Sequence, residues 1–179
     1  MLRIQIPDKE FYDEISEEFI VIRGQTLELE HSLISLSKWE SKWQVPFLSQ
    51  QEKTREQTLS YVRDMTLTRN VDPSVYYALS DENLDAISAY IASPETATTF
   101  RNTPMKGQGS VVTAEIIYYW MISHTIPFEC KTWHLNRLLT LIRVCNEKNA
   151  PKKKMSRAEQ LQHQRNLNAQ RRQARGSKG

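Results

Sequence analysis

A chain of 179 residues, 39% of them hydrophobic, has about one domain's length and at that size buries roughly 68–70% of its unfolded surface without disulfide or metal staples. Its two cysteines, Cys130 and Cys145, exclude a disulfide scaffold. The longest fully apolar run, Ile116 to Ile122, falls far short of the ~20 residues that cross a bilayer. The net charge of +3 hides an asymmetry: residues 151–179 hold nine Lys/Arg against the single acid Glu159, a balance of +8, which leaves the preceding body near −5.

The first residues, Met1-Leu-Arg-Ile-Gln-Ile6, alternate in polarity and lack the apolar stretch of about 7–15 residues that marks a signal peptide. With both cysteines in apolar sequence, the expectation is a soluble protein of a reduced, intracellular compartment. Leu2–Ile6 and Glu18–Ile22 read as strands, the second followed by a turn at Gly24, and the period-two alternation of Leu27-Glu-Leu-Glu30 adds a third.

The pattern then becomes helical. Ser37-Lys-Trp-Glu40 has capping-box spacing, a hydroxyl placed to accept from the third helical N–H and a carboxylate able to reach back. It predicts a short helix carrying Trp39 and Trp43 on one face and ending before Pro46. Thr54-Arg-Glu-Gln57 opens a second helix, in which Leu59, Val62, Met65 and Tyr61 form the buried stripe. Ser80, followed by Asp81 and Glu82, opens a third with Leu84, Ile87, Tyr90 and Ile91 inward, stopped by Pro94. Residues 93–110 have loop composition. From Thr113 a helix apolar on every side is expected to be central to the fold, with Pro127 as its breaker.

A further core helix holds Leu135, Leu138, Leu139, Ile142 and Cys145, and Pro151 closes the body. The predicted core rests on Ile116, Ile117, Trp120, Leu135, Leu138, Leu139 and Ile142. Ser156-Arg-Ala-Glu159 is another capping box, yet beyond it only Ala158, Leu161 and Leu167 are apolar. A helix polar all round is marginal alone and depends on a neighbour. The expected architecture is mainly α (α+β). Residues 1–150 form one globular domain, with a small antiparallel β region over 1–36 and helices over 37–150, and 151–179 form a basic extension that is helical or disordered.

Chemistry-bearing groups are few. Cys130 and His134 are spaced like half a zinc site, with His124 and Glu129 close by, but no second pair completes four ligands. A Cys/His nucleophilic pair using His124 or His134 lacks any local sign of an activated thiolate. Glu115 and Glu129 flank the apolar block as buried acids or as helix-cap and salt-bridge partners of Arg137 or Arg143. Gly107-Gln-Gly109 before a helix has the look of a phosphate turn but lacks the P-loop lysine. No cofactor, metal or catalytic residue is therefore expected. Protein-contact residues are the better reading: Trp39 and Trp43 read equally as interface anchors or as core, Trp120 and Trp133 as core. In the extension, Lys152, Lys153, Lys154, Arg165, Arg171, Arg172 and Arg175 form a charged docking segment. An acidic body with a basic tail also suggests self-association.

Three stretches carry a resemblance: Leu33-Ile-Ser-Leu-Ser-Lys-Trp-Glu-Ser-Lys-Trp43; Thr113-Ala-Glu-Ile-Ile-Tyr-Tyr-Trp-Met-Ile122 continuing through Ile126-Pro-Phe-Glu-Cys130 and Trp133-His-Leu-Asn-Arg-Leu-Leu-Thr-Leu-Ile-Arg-Val-Cys-Asn146; and the closing Asn166-Leu-Asn-Ala169. The chain thereby resembles, nearly end to end, the tailed-bacteriophage family called tail assembly chaperones. That resemblance implies a non-catalytic protein of the infected bacterial cytoplasm. It would coat the helical tape-measure protein, recruit tail-tube subunits and leave before the virion is complete, with a longer frameshifted product in many such families. The competing readings are a structural virion protein of the head–tail connector or tail, a nucleic-acid-binding packaging accessory, and an enzyme. The tail's Lys and Arg lack interleaved aromatics, so any nucleic-acid contact would be to the backbone.

Overall fold

Alternating β-branched and polar residues at the amino terminus build a long antiparallel ribbon. In the computed structural model, which describes residues 1–13, 18–100, 111–150 and 157–176, β1 (Leu2–Ile6) pairs with β4 (Gln25–Leu29), and β2 (Lys9–Asp13) pairs with β3 (Glu18–Ile22). Leu2 faces Leu29, Ile6 faces Gln25, Lys9 faces Ile22 and Asp13 faces Glu18. Those pairs share one register, so the two sheets are a proximal and a distal segment of a single hairpin. The joint between them lies at Pro7-Asp8, whose proline cannot donate to a ladder, opposite Arg23-Gly24. There the Asp8 carboxylate accepts from the Gly24 N–H, and a Cβ on Gly24 would stand 2.5 Å from the Ile6 carbonyl oxygen. The joint therefore requires glycine. The strand Lys9–Asp13 was not anticipated from sequence, because Lys9, Glu10 and Asp13 mask its alternation.

Six α-helices follow: α1 (Leu33–Trp43), α2 (Arg55–Met65), α3 (Asp81–Ala92), α4 (Ala114–Ser123), α5 (Leu135–Asn149) and α6 (Arg157–Arg175), with 3-10 turns at Pro73–Ala78 and Phe128–Thr132. The fold class is mainly α, with antiparallel β at the amino terminus. The chain divides into two units, Met1–Cys145 and Asn146–Gly179.

In the first unit, the inner face of the proximal ribbon (Ile4, Ile6, Leu27, Leu29) joins one core cluster with Leu33, Leu36 and Trp39 of α1, Tyr61, Val62 and Met65 of α2, Ile87 of α3, Ile117 and Met121 of α4, and Leu135, Leu138 and Ile142 of α5. Helix α1 touches α2, α4 and the 128–132 turn. It starts four residues before the predicted cap. Ser32 is the N-cap, in a reciprocal box with Ser35, so Ser37 lies inside the helix and the helical region begins at Leu33. The box at Thr54 forms as expected, closed by Gln57, and Ser80 caps α3 as expected, in a reciprocal box with Asn83 that its sequence had not suggested. Helix α1 ends before Pro46, on Gln44 in the left-handed conformation (φ 55°).

Two expectations about the core are corrected. Helix α4 is not buried on every side: Ala114, Ile117 and Met121 point inward, while Tyr119 is 66% and Ile122 61% exposed. Of the predicted core residues, Ile116, Trp120 and Leu139 are only partly buried. The second unit holds the end of α5 and the 19-residue α6. The capping serine expected for α6, Ser156, lies outside the described residues, as do 101–110 with Gly107-Gln-Gly109.

Candidate interaction surfaces

The two tryptophans of α1 part company although they share a face. Trp39 is 1% exposed. Its indole N–H donates to the Gln57 carbonyl at 2.9 Å, and its ring meets the Phe47 ring nearly edge-on at 5.1 Å. A side chain so enclosed has no face left for a partner, so the anchor role expected of Trp39 is replaced by a core role. Trp43, in the last residue of the helix, is half-buried and donates to the Ser60 hydroxyl at 3.1 Å. Trp133 carries the Arg137 guanidinium 4.1 Å above its ring.

The exposed anchors lie elsewhere. Tyr119 and Ile122 stand one helical turn apart on the outer side of α4, and Phe128, 52% exposed, follows on the 3-10 turn, 6.4 Å from the Tyr118 ring. Exposed large apolar side chains on one helix and the turn after it make this a candidate interaction surface. Their position is fixed from both ends. At the start of α4, Thr113 makes no side-chain cap. Glu40 of α1 replaces it: one carboxylate oxygen accepts from the Ala114 N–H at 2.7 Å and the other from the Phe47 N–H at 2.8 Å. An anion at the first turn also suits the helix dipole. At the end, Thr125 takes a left-handed conformation and the Ile126 N–H returns to the Met121 carbonyl at 2.8 Å, which brings Phe128 beside α4. This surface was missed at sequence level because a wholly apolar helix reads as buried.

The distal ribbon is a second apolar surface. Tyr12, Phe19 and Val21 are 54%, 69% and 57% exposed, and Phe11 is 41% exposed. Tyr12 and Phe19, directly opposite in the register, bring their rings to 5.1 Å.

The third surface is basic. In α6, Arg165, Arg171 and Arg172 are exposed, along with every other residue from Gln160 to Gln173. Arg175 closes that helix, its side chain outside the described residues, as are Lys152, Lys153 and Lys154.

The chemical candidates resolve into structural contacts. Cys130 and His134 are both buried at 6%, and among the described residues no three of His, Cys, Asp and Glu gather to hold a metal ion. Glu115 and Glu129 are exposed; the buried acid is Glu40, at 8%. His134 is instead half of a buried pair that sequence reading did not bring together. His31 and His134 rings meet edge-on at 5.1 Å. His134 Nδ1 accepts from the Asn136 N–H at 3.3 Å, which leaves the proton on Nε2, facing the Tyr90 carbonyl at 3.1 Å. His31 Nδ1 shares a 2.6 Å hydrogen bond with the Tyr61 hydroxyl. Burial, assisted by neighbouring His134, lowers the His31 pKa to about 3, so it is neutral at pH 7. Burial raises the hydroxyls of Tyr61 and Tyr90 well above the usual phenol range. Tyr90 donates to Glu30 at 2.7 Å, and the other Glu30 oxygen lies 3.2 Å from the terminal amine of Met1. The cluster ties strand end, α1, α2, α3 and α5 together.

No family model, no curated protein and no solved structure matches this chain.

Proposed function

We propose that the chain is a non-catalytic assembly chaperone of tailed-bacteriophage tails, acting in the host bacterial cytoplasm on the tape-measure protein and tail-tube subunits. The observation that carries this reading is the outward apolar face of α4 and its following turn, Tyr119, Ile122 and Phe128. A protein that only had to stay soluble gains nothing from such a face. A helical partner laying its own apolar stripe across it buries both, with aromatic anchors that contribute more than their number suggests. The resemblance of the α4 and α5 sequence to tail assembly chaperones supplies the identity of that partner.

The test is co-expression with a tape-measure protein of a tailed bacteriophage. Tyr119→Ser combined with Ile122→Ser is expected to leave thermal melting unchanged, since both side chains are exposed, and to abolish co-purification of the partner. Normal capture by that variant removes the α4 face as the interface. Mass spectrometry of purified virions addresses the same reading from the other end, because a transient chaperone is absent from them and a connector or tail protein is present in stoichiometric amount.

A further inference from the structure

The distal ribbon leaves aromatic side chains in solvent on an element that is marginal by itself, since a two-stranded hairpin needs a third layer to be stable. In the first unit a recess of about 540 Å³ lies between α1 and α2, walled by Lys42 of α1, by Arg55, Leu59, Ser60 and Arg63 of α2, and by Tyr77 of the 73–78 turn. Its three cations face a single acid, Glu56. Such a recess fits an object that is apolar and carries negative charge.

We propose that its occupant is the distal ribbon of a second copy of this chain, exchanged reciprocally so that each copy's ribbon fills the other's recess. Three features support this pairing. The ribbon has the complementary chemistry: Tyr12, Phe19 and Val21 are exposed, and the exposed carboxylate of Glu10 sits opposite Val21. The ribbon does not fill its own recess, because Tyr77 in the recess wall is 65% exposed while Tyr12 and Phe19 remain 54% and 69% exposed. Finally, β3 packs against the same 73–78 turn that supplies Tyr77. Ribbon and recess therefore border the same turn, and reciprocal exchange about a two-fold axis there would form an isologous interface. The tail-assembly reading is not needed here, since the experiment contains no tape-measure or tube protein.

Light scattering and sedimentation on the full-length chain are expected to give a dimer whose association weakens with salt, because recess and ribbon attract through exposed charge. Tyr12→Ser with Phe19→Ser (ribbon variant) and Arg55→Glu with Arg63→Glu (recess variant) should each raise the dissociation constant at least about tenfold, a loss of about 1.4 kcal/mol, while keeping the circular dichroism melt of the parent. If the ribbon variant misfolds, Glu10→Lys, a single exposed change, takes its place. Mixing the two variants should restore a heterodimer, because the intact ribbon of one meets the intact recess of the other. The proposal is overturned by a wild-type chain that is monomeric or larger than a dimer. It is equally overturned by a recess variant that still dimerises, which would mean ribbon-to-ribbon pairing, or by a mixture that shows no association beyond its components.

Discussion

His31 shows how one buried side chain sets a pH limit on the whole first unit. Its folded pKa of about 3 lies below the ordinary value of 6.5 because burial excludes the charged ring and His134 stands beside it. Between those two values the unfolded chain takes up a proton that the folded chain refuses, so stability falls as pH falls, by up to ~1.4 kcal/mol per unit. Above pH 6.5 this group contributes no slope. Urea midpoints at pH 7.5, 6 and 5 should therefore decline, and His31→Phe should flatten that decline even though it loses the Tyr61 hydrogen bond. An unchanged slope in the variant assigns the acid sensitivity to other groups. Glu40 gives the companion lesson on what a residue reveals in sequence. As the fourth residue of Ser37-Lys-Trp-Glu40 it looked like a helix-start acceptor, but its two oxygens instead serve Phe47 and Ala114, the latter distant in the chain. Local spacing cannot show a long-range acceptor.

Elements were legible where one period dominated and one face was buried. The stripe of α5 is the clearest case: the spacing placed Leu135, Leu138, Leu139, Ile142 and Cys145 inward, and Leu135, Leu138 and Ile142 are at most 2% exposed, with Cys145 partly buried. Leu139, one step round the helix, is only partly buried. Leu138→Ala should accordingly cost about 2–5 kcal/mol, from lost burial plus the cavity left behind, and Leu139→Ala clearly less; thermal melts of the pair measure the difference, and equal costs would mean that the helix is rotated from this position. Elements were misread where composition hid the period. The ribbon strand Lys9–Asp13 carries charges at three of its five positions, so only its partner Glu18–Ile22 stood out. Helix α4 failed in the opposite sense, because apolar residues on all sides cannot say which face meets the core and which meets a partner. The misreading thus falls on the surface now assigned to binding.

At the scale of the whole molecule, charge separates what packing separates. The described buried core residues lie in the first unit, whereas α6 in the second exposes Leu161 at 51% and Leu167 at 37%, together with Arg165, Arg171 and Arg172. A 19-residue helix with so little apolar material draws few kcal/mol from burial, at roughly 25 cal/mol per Å² of apolar area. Truncation after Ala150 removes α6 together with Lys152, Lys153 and Lys154 but leaves all of α5. The shortened chain should melt within a few degrees of the parent by circular dichroism, since the core cluster ends at Ile142 among its buried members. Capture of the proposed tape-measure partner should fall, and for the parent that capture should weaken between low and physiological salt as exposed charges are screened. If the shortened chain unfolds, the second unit contributes to the core and the division by charge is wrong. If it folds and captures the partner with the parent's affinity and salt dependence, the basic helix serves solubility alone and binding rests on the apolar face of α4.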